Sequence, residues 1–237
     1  MKINLLCGDR HLPPHIFSKL STEPWGGIDR GTLILSEHSI VPVFSVGDFD
    51  SVNDEEREIL KKTLNIHPVK AEKDDTDLAL GVEQAIQKGY TEIDIYGATG
   101  GRLDHFMGTL QILFKSVYIK KEIIIKVIDK QNEIMLLNTG THQLHKSDKY
   151  QYVSFIPVNE VVALSLNGFK YNLNKMNHHN LKGENGNWEF FPTFSLTFSE
   201  SFFPRSSLNS VSSTSPWLFL PLPSLSSSGM CRDPIFS

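Results

Sequence analysis

Three polar clusters between residues 43 and 105 combine the side chains that hold a divalent cation and a polyphosphate. They are Gly47-Asp48-Phe49-Asp50-Ser51, Lys73-Asp74-Asp75-Thr76-Asp77 and Gly97-Ala98-Thr99-Gly100-Gly101-Arg102-Leu103-Asp104-His105. Carboxylates ligate a hard cation through oxygen, glycines let backbone N–H groups approach phosphate, and a guanidinium grips phosphate with a fork. Each cluster follows a short apolar run, so all three are expected at strand ends.

Asp48 and Asp50 are two residues apart, so on extended chain their carboxylates face the same way. Two like charges held together are costly without a cation between them. Asp77 is the expected third metal ligand. The competing reading is a solvated turn with Ser51 as a helix cap. Asp74, Asp75 and Asp77 open a helix, where acids complement the dipole, and Asp75 is the candidate for a purely structural cap. Lys73 meets a phosphate oxygen or is a solvated flank, and Thr76 belongs to the same binding segment. Gly97, Thr99, Gly100 and Gly101 form an anion-cradling turn without the Gly-Lys-Ser/Thr ending of a Walker A loop. Arg102 is placed to clamp phosphate. Asp104 is either the helix N-cap or a group that orients substrate or moves a proton, and His105 is a candidate general base. Asp29, in Ile28-Asp29-Arg30-Gly31, is a fourth strand-end acid for the same cleft.

The elements that must carry these groups are legible as alternating strands and helices. Strands are predicted at 2–7, 25–29, 43–46, 66–69 and 93–96. Helices are predicted at 11–20, 31–38 and 51–62, from Asp77 to the stop at Lys88-Gly89, and after Arg102 with Phe106, Leu110, Leu113 and Phe114 facing the core. This alternation predicts an α/β domain over residues 1–130 with a doubly wound, mostly parallel sheet, whose ligands bind beyond the carboxyl ends of the strands. Beyond residue 121 the apolar segments 123–128, 134–137, 150–157 and 161–166 lack helical period. They predict a smaller all-β sandwich domain over 131–184.

With 23 Lys+Arg against 27 Asp+Glu the net charge is −4, which implies no general affinity for nucleic acid. Cys7 and Cys231 suggest no disulfide framework. No stretch reaches the ~18 apolar residues of a membrane helix, and the apolar run before Cys7-Gly8 is too short for a signal peptide. A cytoplasmic protein without membrane partners is expected.

Lys182 is the last lysine, and beyond Phe191 only Glu200, Arg205, Arg232 and Asp233 are charged. Residues 185–237 are rich in Ser, Pro, Phe and Leu and show neither period, apart from a short strand possibility at 193–198. They read as an aberrant tail, consistent with a shifted reading frame, that leaves the second domain incomplete.

The ordered series Gly-Ile-Asp-Arg-Gly (27–31), Gly-Asp-Phe-Asp-Ser (47–51), Lys-Asp-Asp-Thr-Asp (73–77) and Gly-Ala-Thr-Gly-Gly-Arg-Leu-Asp-His (97–105) resembles thiamin pyrophosphokinases of the bacterial type. The resemblance covers residues 1–182. It implies an ATP- and Mg²⁺-binding α/β domain, a β-sandwich that completes the thiamin site across a homodimer interface, and the reaction ATP + thiamin → AMP + thiamin diphosphate. By the same resemblance Asp48, Asp50 and Asp77 are the Mg²⁺-binding aspartates, and residues 102–105 form the phosphate and substrate loop. The family's Ser-Asn-containing strand for the thiamin pyrimidine is missing after Gly183, so weak or absent thiamin turnover is expected of this chain. Two other functions compete. Asp48-Phe49-Asp50-Ser51-Val52 mimics the nucleophile motif of haloacid-dehalogenase-type phosphohydrolases, but that scheme leaves residues 100–105 unexplained. A non-catalytic Mg²⁺–nucleotide-binding module would bind ATP without turnover.

Overall fold

A computed structural model of the chain describes residues 1–47, 75–115, 117–118, 122–138, 140–145, 149–150, 152–157, 161–169, 172–178, 187–197 and 217–222. Strands β1 (Lys2–Leu6), β2 (Trp25–Ile28), β3 (Phe44–Val46), β4 (Glu92–Tyr96) and β5 (Ile124–Ile128) pair in parallel, in the order β5-β4-β1-β2-β3. The chain moves outward from β1 through β2 to β3, then returns to the other side of β1 for β4. That reversal makes the carboxyl ends of β1 and β4 the topological switch point, where open sheets leave a crevice for ligands.

Helices cover both faces, so β1, β2 and β4 are buried on both, including the polar Asn4 and Asp94. On one face Ile3, Leu5, Ile93 and Ile95 pack with Ala79, Val82 and Ala85 of α3 (Asp77–Gln87) and Ile112 and Leu113 of α4 (Leu103–Leu113). On the other, Leu6, Trp25 and Tyr96 pack with Ile16 of α1 (Ile16–Lys19) and Ile34 and Leu35 of α2 (Arg30–Glu37). The doubly wound architecture is the predicted one. The helix expected over 11–20 shrinks to a single turn, because Pro13 and Pro14 disfavour helix before them and His15 is left-handed at φ 61°. On α4 the most buried residues are Thr109, Ile112 and Leu113, with Phe106, Leu110 and Phe114 partly buried beside them. The helix and strand predicted over 51–62 and 66–69 lie outside the described residues. No helix among the described residues is long and apolar enough to cross a membrane.

After β5 every strand pairing is antiparallel. β6 (Glu133–Leu137) turns back on β5, and β8 (Tyr152–Pro157), β9 (Val161–Phe169) and β10 (Leu173–His178) follow, with β7 (Thr141–His145) to one side. Leu137, Val153, Phe155, Leu164, Leu166 and Phe169 form this region's own core. Two further strands stand in the stretch where the sequence predicted at most a short one. β11 (Asn187–Thr197) pairs with β7, β8 and β9, and β12 (Trp217–Leu222) lies between β6 and β8. Pro192 escapes the rule against proline in mid-sheet because β11 changes partner around it. Residues 187–189 face β8, residues 193–197 face β7, and the register with β9 shifts between Phe190 and Ser195.

Candidate active site

A cleft of about 520 Å³ opens at the switch point, bounded by the carboxyl ends of β1, β2 and β4 and the amino ends of α3 and α4. Two loops interlock at its base. Gly97 has φ +72°, and a Cβ there would overlap the Gly8 carbonyl, so only glycine lets the loop after β4 close on the loop after β1. The adjoining glycines accommodate side chains of that first loop. A Cβ on Gly100 would strike the His11 ring, and one on Gly101 the Arg10 guanidinium. Arg10 thereby lies over Gly101 and lines the cleft, and it makes no hydrogen bond or ion pair among the described residues.

Asp29 follows β2 with φ 47° and ψ −123°. Its N–H donates to the Val46 carbonyl at 2.9 Å and its own carbonyl accepts from Thr32 N–H at 3.0 Å. Its carboxylate lies against the Cα of Gly47, where any side chain would overlap it. Burial, with the Asp29 charge second, pushes the Cys7 thiol up to about 12, so this cleft residue stays neutral and is no thiolate nucleophile at ordinary pH.

The cap of α3 is Thr76, whose hydroxyl accepts from Ala79 N–H at 3.3 Å. The structural cap is therefore not Asp75, which pairs with Lys115 at 3.4 Å. With the cap position filled, Asp77 in the first turn is left to line the cleft. At α4 the N-cap position belongs to Arg102, not Asp104. The Arg102 fork donates to Asp104 through Nε at 3.1 Å and Nη2 at 2.6 Å. This bond holds the Asp104 carboxyl below the usual carboxylate range, but both side chains are 62% or more exposed, so the pair is an easily exchanged one. His105 also lines the cleft, its carbonyl held by the Thr109 hydroxyl at 3.0 Å. Thr99 is fixed from behind: its hydroxyl donates to Asp129 Oδ2 at 2.9 Å, while Asp129 Oδ1 accepts from Gln131 N–H and Asn132 N–H at 2.7 and 2.6 Å.

Thus Asp29, Thr76, Asp77, Gly97, Thr99, Gly101, Arg102, Asp104 and His105 line one cleft. Gly100 packs behind it on His11. Asp48, Asp50 and Lys73 lie outside the described residues, and among the described residues no group of three metal-ligating side chains forms. The carboxylates of Asp29 and Asp77 are hard oxygen donors of the kind Mg²⁺ takes. The sequence reading missed Arg10 and Cys7. The signal for both was the rule applied to the other clusters, since they follow β1 as Asp29 follows β2.

Residues 20–127 match the profile of the thiamin pyrophosphokinase catalytic domain, and residues 141–185 that of the thiamin pyrophosphokinase vitamin B1 binding domain. Thiamine pyrophosphokinase of Bacillus subtilis (strain 168) is 45% identical over 152 residues, 63% of this chain and 70% of that protein. The crystal structure of the Bacillus subtilis thiamine pyrophosphokinase aligns over 95% of this chain and 100% of its own, with 32% identity and a TM-score of 0.79. A probable thiamine pyrophosphokinase from Staphylococcus saprophyticus subsp. saprophyticus covers the same shares at 40% identity and a TM-score of 0.70. With a cleft of this composition at the switch point and matches of this extent, the chain belongs to the thiamin pyrophosphokinase family.

Proposed function

We propose that the chain transfers the terminal pyrophosphoryl group of ATP to the primary hydroxyl of thiamin, giving thiamin diphosphate and AMP. The observation that carries this reading is the single cleft in which two arginines, three carboxylates and the interlocked glycine loops meet at the switch point of a parallel sheet. Such a site works by holding the β-phosphorus in line with an attacking oxygen and neutralising charge on the phosphate oxygens; no enzyme-bound intermediate is needed.

Asp77, with Asp48 and Asp50, would hold Mg²⁺, and Asp29 lines the same cleft as Asp77. When bound, the ion would supply positive charge that neutralises the phosphate oxygens. Thr76, Thr99 and the backbone of Gly97 and Gly101 position the nucleotide, with Lys73 as a further phosphate ligand and Gly100 setting the turn. Arg10 already lies in the cleft with its donors open, whereas Arg102 must exchange Asp104 for phosphate. Asp104, released by that exchange, and His105 orient the thiamin hydroxyl and accept its proton. A homodimer that completes the thiamin site and a cytoplasmic location belong to the same reading.

The test is AMP production measured with and without thiamin. AMP formed only when thiamin is present supports the transfer. Orthophosphate released from a simple ester such as p-nitrophenyl phosphate, without thiamin-dependent AMP, would make the chain a phosphohydrolase. ATP binding with no turnover would make it a nucleotide-binding module.

A further inference from the structure

Thr99 lines the cleft from the loop after β4, half-buried, and its hydroxyl donates to Asp129 Oδ2 at 2.9 Å. Asp129 is 3% exposed and closes the turn between β5 and β6, where its own N–H donates to the Asn132 carbonyl at 2.9 Å. The side-chain amide of Asn132 donates to both carboxylate oxygens, at 3.2 and 3.1 Å, alongside the backbone bonds from Gln131 and Asn132 to Oδ1. A carboxylate accepts and does not donate, so the one proton of the Thr99 hydroxyl points to Asp129 and away from the cleft. Towards the cleft Thr99 presents lone pairs.

The turn alone does not require an aspartate at 129. One side-chain oxygen suffices to accept from the Gln131 and Asn132 N–H groups, and an asparagine supplies it. The second oxygen is what reaches Thr99. An amide nitrogen in its place would donate to the Thr99 oxygen and turn the hydroxyl proton towards the cleft. The carboxylate of Asp129 thus sets the polarity of Thr99.

That polarity decides what Thr99 can recognise. Phosphate oxygens are acceptors and take their bonds from arginines and backbone N–H groups, so the partner of Thr99 must bring its own proton. Thr99 stands two residues before Gly101, against which the Arg10 guanidinium lies. A donor so near the phosphate grip fits a ribose hydroxyl, one sugar ring from the phosphate chain, better than the amino group at the far edge of adenine. Resting on the nucleotide reading of the cleft, we infer that Thr99 determines specificity by accepting a hydrogen bond from a ribose hydroxyl, and that Asp129 is the residue that positions it to do so. A nucleotide without that hydroxyl proton leaves the Thr99 oxygen unpaired and is disfavoured.

The test is calorimetric binding to the full chain with Mg²⁺ and without thiamin, so that no turnover is required. The probes are ATP and its 2′-deoxy-2′-fluoro and 3′-deoxy-3′-fluoro analogues, in which fluorine keeps the bulk of the hydroxyl but carries no proton. One analogue should bind about three- to tenfold more weakly than ATP, as the loss of one hydrogen bond predicts. Thr99→Val should weaken ATP to the level of that analogue and leave the analogue's own affinity unchanged. Asp129→Asn keeps the turn and should bring the two affinities close together, whereas a purely structural Asp129 would lower both and leave their ratio as in the parent. The proposal is overturned by equal affinity of ATP and both analogues in the parent, or by an unchanged ratio in either variant. It is also overturned if Thr99→Val raises the thiamin KM and leaves ATP binding intact, which would give the bond to the thiamin hydroxyl. Absence of saturable ATP binding would overturn the nucleotide reading itself, and this proposal with it.

Discussion

The guanidinium of Arg10 occupies the volume that any side chain at position 101 would need. The two residues therefore form one functional unit, and their substitutions should not add. Arg10→Ala removes a charge-assisted phosphate contact worth about 1.5–3 kcal/mol, so ATP turnover should fall on the order of tenfold or more. Gly101→Ala should do nearly the same by pushing the guanidinium aside, and the double variant should be little worse than either single one. A double-mutant cycle on kcat/KM for ATP tests this, and full additivity would mean that Arg10 acts alone. Arg102→Lys should fall in rate more than in ATP affinity, since lysine lacks the fork that leaves Asp104 for phosphate. At the metal, Asp77→Asn and Asp48→Asn should each abolish activity at ordinary Mg²⁺, with partial rescue by Mn²⁺, because one oxygen ligand and one charge leave a hard-cation site. Rates near the parent at low Mg²⁺ would remove that aspartate from the site.

Strand ends and helix starts do the positioning, and the contact of Gly97 with Gly8 joins two of them. Gly97→Ala should cost at least about 1–2 kcal/mol through the left-handed backbone alone, before the overlap with the Gly8 carbonyl is relieved. The overlap is with backbone, so no rotamer can absorb it, and both melting temperature and activity should drop. An unchanged melting curve would show that the loops are not locked together. At this scale much was legible in the sequence. The 3.6-residue recurrence of Leu78, Val82, Ala85 and Ile86 set α3 within a residue of its ends, and the apolar runs set β1 to β4. What was not legible depends on one residue among several equals. Three acids crowd residues 74–77, and the period cannot say that Thr76, not Asp75, turns its oxygen to Ala79 N–H. A lone basic residue after β1 carries no pattern, so Arg10 emerges only when Gly97 and Gly8 bring two loops together. β11 and β12 were missed for the opposite reason: they are defined by backbone pairing with β6 to β9, which needs no side-chain alternation.

Among the described strands, the parallel sheet continues through β6 into the antiparallel region, so the site-bearing part and the part that matches the vitamin B1 binding profile share one hydrogen-bonded path. That profile matches residues 141–185, ending just beyond the last lysine, Lys182. We therefore expect the stretch after Lys182 to limit thiamin use rather than ATP use. A chimera that takes the Bacillus subtilis relative's ending after Lys182 should show a lower KM for thiamin and a higher melting temperature, with the ATP KM unchanged. Equal thiamin KM and equal stability would make residues 185–237 a working ending of their own. The central claim, transfer of a pyrophosphoryl unit in one step, is tested most directly by following label from ATP in separate reactions with α- or β-labelled nucleotide and thiamin. The account predicts that the β-label moves into thiamin diphosphate while the α-label stays in AMP, in equal amounts and only with thiamin present. Label found in ADP, in thiamin monophosphate or in orthophosphate as the first product would contradict it.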